Sequence, residues 1–173
     1  MKSDKKLPLF IITGASGVGK STVAGALFEK EDRYIVLESD LLWHDIYNTP
    51  EDDYRNYRKL WLRMCSNISQ IGMPVVLCGC VTPKQFEALD ERQSFTEIHY
   101  LAIVSDKETL ISRMKDGRKI QDESWIKSSV DFNQWLIENA ASTAPNITLL
   151  NTAKMTPNEA ASIADKWILE RMA

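Results

Sequence analysis

Residues 9–21 read Leu9-Phe10-Ile11-Ile12-Thr13-Gly14-Ala15-Ser16-Gly17-Val18-Gly19-Lys20-Ser21, an apolar run that feeds directly into the spacing G-x-x-x-x-G-K-[ST]. Phosphate binding gives every position of that spacing a task. Glycines let main-chain N–H groups converge on anionic oxygens, Lys20 brings a point charge to the terminal phosphates, and the Ser21 hydroxyl is a ligand for Mg²⁺. A helix starting near Gly19 adds the positive end of its dipole. A glycine-rich turn with no ligand would need none of this, and the flanks argue against it. The apolar run reads as a strand, and Thr22-Val23-Ala24-Gly25-Ala26-Leu27-Phe28 has helical spacing, which is the context the motif requires. The expected nucleotide cradle is therefore Gly14, Ala15, Ser16, Gly17, Val18, Gly19, Lys20, Ser21 and Thr22.

The rest of the composition narrows the class. A chain of 173 residues with 44% hydrophobic content suits one α/β domain spanning residues 1–173. A net charge of -3 argues against nucleic-acid or anionic-membrane partners. No apolar stretch is long enough for a membrane span, and the run after Met1-Lys2-Ser3-Asp4-Lys5-Lys6 is too short for a secretory signal, so a cytoplasmic location is expected. The first six residues are the one candidate for disorder. Cys65, Cys78 and Cys80 are odd in number and lack obvious histidine partners; alternation along a strand turns Cys78 and Cys80 the same way, and all three read as buried reduced thiols.

Apolar runs at 9–13, 34–38, 75–79, 98–104 and 147–150 alternate with longer helical patterns, the signature of parallel β-α-β units. Ligands then collect beyond the carboxyl ends of the strands. Helix starts are marked by capping-box spacings at Thr82-Pro83-Lys84-Gln85, Ser105-Asp106-Lys107-Glu108 and Thr156-Pro157-Asn158-Glu159. Thr49-Pro50-Glu51-Asp52 reads as another cap, opening a helix with Tyr57, Leu60, Trp61, Met64, Ile68 and Ile71 on its apolar face. The last helix should bury Ala160, Ile163, Ala164, Trp167, Ile168 and Met172.

A second constellation follows the second apolar run. If the strand persists through Glu38-Ser39-Asp40, alternation turns both carboxylates to one side, toward the phosphate loop. Carboxylates there can hold Mg²⁺ through water or accept the proton of an attacking hydroxyl. Asp40 is also a favoured residue for capping a helix at Leu41-Leu42-Trp43, and the two roles are compatible.

With a phosphate loop at the first strand, an acidic x-S-D at the second and Gly79 ending the third, the chain resembles the nucleoside and nucleotide kinase-like P-loop kinases. Shikimate kinase, gluconate kinase, chloramphenicol phosphotransferase and adenylate kinase belong to that group. The resemblance implies a three-layer α/β/α sandwich on a five-stranded parallel sheet of order 2-3-1-4-5. It also implies ATP and Mg²⁺ as cofactors and transfer of the γ-phosphoryl group. By the same resemblance Asp40 contacts the acceptor hydroxyl and Glu38 is associated with the metal. Gly79 stands alone where shikimate kinases have a glycine triplet.

The stretch Leu110-Ile111-Ser112-Arg113-Met114-Lys115-Asp116-Gly117-Arg118-Lys119 is similar to the lid of these kinases, placed here near 113–125. The resemblance assigns Arg113 to the adenine face and Arg118 to the transferring phosphates, and guanidinium planes suit both tasks. Thr152 falls in the loop that wraps the adenine edge in the family. Residues 41–73 occupy the place of the acceptor-binding helices and are dense in rings and cations. Tyr57 and Trp61 belong to the apolar stripe, whereas Trp43, His44, Arg55 and Arg58 are free to face a ligand; a lone helical His44 is not expected to be the base. Trp43, Arg55, Arg58 and Gly79 are the expected acceptor contacts, and Lys20, Asp40 and Arg118 the catalytic set.

These residues predict an ATP-dependent kinase, monomeric or homodimeric, acting on a hydroxyl or phosphate of a small molecule. Rings with an arginine suit a nucleoside, a nucleotide or an aromatic antibiotic better than a sugar acid. A regulatory NTPase is the competing class. It finds no D-x-x-G, no adjacent glycines and no acid closing the third strand at Val75-Val76-Leu77-Cys78-Gly79-Cys80.

Overall fold

The computed structural model describes residues 6–30 and 32–172. The segment expected to be disordered lies, through Lys5, outside the described residues. Five strands, β1 (Leu9–Thr13), β2 (Ile35–Glu38), β3 (Val75–Cys78), β4 (Ile98–Val104) and β5 (Ile147–Asn151), form one parallel sheet of order β2-β3-β1-β4-β5. This is the order expected from the resemblance. Helices α1 (Lys20–Phe28), α2 (Arg55–Ser69), α3 (Pro83–Glu87), α4 (Lys107–Ser112), α5 (Glu123–Asn139) and α6 (Pro157–Met172) flank it.

β1 is the central strand, and its apolar run is continuous because both of its faces are covered. Phe10 and Ile12 join Val23, Leu27, Leu110, Met114 and Ile168 in the core under α1 and α6. Leu9 and Ile11 join Trp61, Leu62, Phe86 and Leu136 in the core under α2, α3 and α5. Each such side chain withdrawn from water contributes roughly 1.5–3 kcal/mol, so the strand that feeds the phosphate loop is firmly seated in the sheet.

Two of the expected caps are formed as spelled. Thr82 and Gln85 make a reciprocal capping box at α3, and Thr156 and Glu159 do so at α6. At α4 the cap is Asp106, which accepts from the Thr109 amide at 2.8 Å, while Ser105 is buried against Asn133. Asp106 wins because its carboxylate reaches the orphan amides of the first turn.

Around the second strand the structure departs from the expected helices. β2 stops at Glu38, and Ser39–Leu42 and Asp45–Tyr47 are short 3₁₀ turns rather than an α-helix from Leu41. Pro50–Asp52 is another such turn, closed by Thr49 Oγ1 on Asp52 Oδ1 at 2.6 Å, and α2 begins only at Arg55. Between them Asp53 and Tyr54 both take left-handed backbone, with φ of 56° each. A capping residue cannot start a continuous helix through such a pair.

Three burial expectations also change. Ile163 on α6 is 43% exposed, and Ala161 and Asp165 take the inward positions. Ile71 lies beyond α2 and is 67% exposed. Cys80 is exposed, because β3 ends at Cys78 and the strand alternation stops with it. Cys65 and Cys78 are buried free thiols, and burial pushes both up to about 12.

Candidate active site

The phosphate loop takes its shape from its glycines. Gly14, Gly17 and Gly19 have φ of 149°, 87° and 109°, backbone that a side chain strains. A Cβ on Gly14 would lie 2.5 Å from the Ile103 carbonyl, and one on Gly17 would lie 2.6 Å from Met114 Cγ. The loop is thus pressed onto β4 and α4 and leads straight into α1, whose first residue is Lys20. The Lys20 ammonium donates to the carbonyls of Gly14 and Ala15 at 2.8 and 2.9 Å, spanning the mouth of the loop. Ser21 and Thr22 are exposed on the first turn of α1.

The segment expected to form the lid is joined to this loop. Helix α4 runs on into a π-helical turn, Arg113–Gly117, with Met114 buried beneath. Arg113 Nη1 donates to the Val18 carbonyl and to Thr152 Oγ1, both at 3.2 Å, and Nη2 donates to the Thr152 carbonyl at 3.0 Å. Its guanidinium therefore ties the phosphate loop to the loop after β5, with Thr152 buried as the tie point. Arg118 Nη1 donates to Ser16 Oγ at 2.6 Å, and its guanidinium lies 5.7 Å from the centre of the Trp125 ring.

At the end of β2, Ser39 is pinned from two sides. Its carbonyl accepts the Tyr57 hydroxyl, and its side chain sits where a Cβ on Gly79 would be. Gly79 thus allows a close approach that any larger residue would block. Burial raises the Tyr57 hydroxyl above the usual tyrosine range, with the nearby Asp40 charge adding to the effect. The turn so fixed carries Asp40.

Two clefts open over this machinery. One, of about 600 Å³, is lined by the phosphate loop from Ser16 to Thr22 together with Arg113, Arg118 and Thr152. The other, of about 650 Å³, is walled by Trp43, Tyr54, Tyr57, Trp61, Phe86 and Phe132 and includes Arg58 and Gly79. Ser16, Asp40, Cys80 and Trp125 line both. Asp40 therefore stands at the junction of a phosphate-binding cleft and an aromatic one, a position open enough for a reacting pair to meet.

The residues named from the sequence are sorted by this geometry. Gly17, Val18, Gly19, Lys20, Ser21, Thr22, Arg113, Arg118 and Thr152 share the phosphate cleft, and Trp43, Arg58 and Gly79 share the aromatic one. Gly14 lies behind the loop, buried against β4. Arg55 and Glu38 line neither cleft: Arg55 is exposed at the start of α2, and Glu38 is half-buried at the end of β2. Arg58 is not free, since it pairs with Asp53 at 3.0 Å. His44 is exposed and its Nδ1 accepts the Ile46 amide at 3.2 Å.

Sequence reasoning missed Trp125, Tyr54, Phe132 and Asp53 as lining residues. Trp125 carried one usable signal: Asp122 caps α5 by accepting from the Ser124 and Trp125 amides, so an Asp two residues before Ser124-Trp125 marks a helix start beside the lid.

The model of the family described as AAA domain matches residues 11–134, which hold both the phosphate loop and Asp40. The chain belongs to this family. No curated protein matches its sequence. Among solved structures this chain is similar to a sugar kinase from Janibacter sp. HTCC2649, with a TM-score of 0.70 at 15% identity over 95% of both chains. It is similar to a gluconokinase from Sinorhizobium meliloti 1021, with a TM-score of 0.60 at 16% identity over 96% of this chain and 99% of that one. A shikimate kinase from Acinetobacter baumannii, solved with shikimate, gives 0.62 at 16% identity over 95% and 94%. These likenesses establish that the chain has the P-loop kinase fold.

The residues present also suit the metal that this fold implies. Ser21 offers a hydroxyl on the rim of the phosphate cleft and Asp40 a carboxylate facing the same space, hard oxygen donors of the kind Mg²⁺ takes alongside phosphate oxygens and water. Among the described residues no group of three or more acids, histidines or cysteines forms a dedicated metal cage.

Proposed function

We propose that this AAA domain is an ATP-dependent small-molecule kinase, moving the γ-phosphoryl group of ATP to a hydroxyl of a small ring-bearing acceptor such as a nucleoside. One observation carries the reading: Asp40 lines both the phosphate cleft and the aromatic cleft. A P-loop ATPase without an acceptor has no need of a second cleft meeting the first at a carboxylate.

In this reading the loop amides and the Lys20 ammonium hold the β- and γ-phosphate oxygens, and Mg²⁺, held through Ser21, supplies further neutralisation of their charge. The acceptor hydroxyl approaches from the aromatic cleft. Its oxygen forms the new bond to the γ-phosphorus, its proton passes to Asp40, and the bond to the bridging oxygen breaks with the electron pair leaving on ADP. Arg118, already on Ser16, stabilises charge on the group in flight. Trp125 and the lid exclude water, which limits hydrolysis.

The test is acceptor-dependent ADP release with phosphorylated product identified by mass spectrometry. Lys20→Ala should abolish release and weaken ATP binding. Asp40→Asn should lower release by about 10²–10⁴-fold while ATP still binds. Full rate in Asp40→Asn overturns the assigned role of Asp40, and ATP consumption without a phosphorylated product overturns the kinase.

A further inference from the structure

The two clefts differ sharply in charge. Lys20, Arg113 and Arg118 all line the phosphate cleft, and none of them lines the aromatic one. The aromatic cleft holds Asp40, Asp53 and a single cation, Arg58. That cation is committed: Arg58 Nη1 pairs with Asp53 Oδ2 at 3.0 Å, and its guanidinium lies 5.6 Å from the centre of the Tyr54 ring. Gln85 Nε2, also on the wall, donates to both Asp53 oxygens at 3.0 Å. The Asp53 side chain nevertheless remains 64% exposed, so it keeps acceptor capacity toward the cleft.

Resting on the kinase reading, we infer that the acceptor is an uncharged or cationic ring-bearing alcohol, not a carboxylate or phosphate ester, and that Asp53 sets this preference. An anionic acceptor would bring its charge beside Asp40 and the exposed side of Asp53, while Arg58, the one cation lining this cleft, is already paired with Asp53, and juxtaposed like charges exclude wrong partners. A flat ring finds Trp43, Tyr54, Tyr57 and Trp125 along the wall, and a ring carrying an ammonium adds attraction to the aromatic side chains and to the carboxylates. The volume of about 650 Å³ fits a molecule of one or two rings. Nucleosides satisfy these terms and nucleoside monophosphates do not.

Binding tests this without turnover. Phenylethanolamine, phenylethylene glycol and mandelate share a phenyl ring and a benzylic hydroxyl and differ by one cationic, neutral or anionic group. With the full chain, magnesium and a nonhydrolysable ATP analogue filling the phosphate cleft, ligand-detected NMR should show the cation and the glycol bound at least about tenfold more tightly than mandelate. Uridine should likewise surpass uridine monophosphate. Asp53→Asn keeps a residue that tolerates left-handed backbone, and it should shrink the advantage of the cation over the glycol while leaving analogue binding unchanged. Equal or tighter binding of the anions, no binding of any of the three at millimolar concentration, or an unchanged preference in Asp53→Asn overturns the inference. Charge preference intact with no phosphorylated product defeats only the kinase reading.

Discussion

Arg118 Nη1 donates to Ser16 Oγ at 2.6 Å across 102 residues of chain, a second charged contact, beside that of Arg113 with the Val18 carbonyl, between the segment after α4 and the phosphate loop. Both partners are accessible to a ligand, and Ser16 also lines the aromatic cleft. In the proposed reaction, the group transferred between the clefts would pass beside this pair. Arg118 is held from the other side by the Trp125 ring, which limits the directions its guanidinium can take.

Within the proposed transfer, Arg118→Ala should lower kcat by about 10²–10³-fold with ATP affinity changed only severalfold, because the contact gains most of its strength as charge develops on the transferring group. Arg118→Lys should recover only part of the loss, since an ammonium cannot fork onto two oxygens. Steady-state kinetics paired with calorimetric ATP titration separate the two effects. Equal losses in affinity and rate would make Arg118 a plain binding residue.

Gly79 and Ser39 make a second test. A methyl at Gly79 would occupy the place of the Ser39 hydroxyl and lie 3.0 Å from Ser39 Cβ, and Ser39 cannot retreat freely while its carbonyl holds the Tyr57 hydroxyl. Gly79→Ala should therefore cost about 1–3 kcal/mol of stability and displace Asp40 enough to lower acceptor turnover. Adding Ser39→Gly removes the clash and should restore most of the stability. Urea denaturation of the single and double variants measures both, and no recovery in the double variant would place the strain elsewhere.

A third prediction concerns pH and lies far from the clefts. Asp165 on α6 is nearly buried and accepts from Tyr34 at 2.7 Å, Lys30 at 3.1 Å and Arg33 at 3.2 Å. Burial pushes its carboxyl up, but these three partners outweigh burial and hold it below the usual carboxylate range. A depressed folded-state value means the contribution is present above the ordinary carboxylate value and lost as pH falls through the lower one. His99 is depressed chiefly by burial, so its contribution fades as pH drops below 6.5. Stability should thus decline on acidification in two stages, the first absent in His99→Phe. The second should be reduced in Asp165→Asn, leaving the share of the exposed capping carboxylates Asp52, Asp106, Asp122 and Glu159, which are also held low, and the substitution should itself cost about 2 kcal/mol at neutral pH. Urea midpoints across pH read both stages, and an unaltered acid limb in Asp165→Asn would refute the assignment.

The central features were written locally and could be read locally. Glycines that must take positive φ, Lys20 at the fixed offset, and an apolar run covered on both faces define the phosphate loop within thirteen consecutive residues, 9–21. The parallel sheet and its order followed from the spacing of the apolar runs together with the resemblance. The capping boxes at Thr82 and Thr156 involve only neighbours within three residues, so they too were legible. The stretch from Ser39 to Tyr54 was not, because its short turns and its pair of left-handed residues have no periodic signature.

The sequence by itself determined the phosphate cradle, the alternation of strands and helices and the presence of a carboxylate after the second strand, since each depends on residues close in the chain or on simple periodicity, while the order of the strands came only with the resemblance. Only the tertiary structure decided which cations serve which cleft. Arg58 is claimed by Asp53, Arg113 by Thr152 and the Val18 carbonyl, and Arg118 faces Ser16, pairings that span from five to 102 residues. A guanidinium looks the same in a sequence whether it awaits a ligand or already has a partner. Its availability is settled by what the fold packs beside it, and that sorting gives one cleft its positive charge and leaves the other to rings and carboxylates.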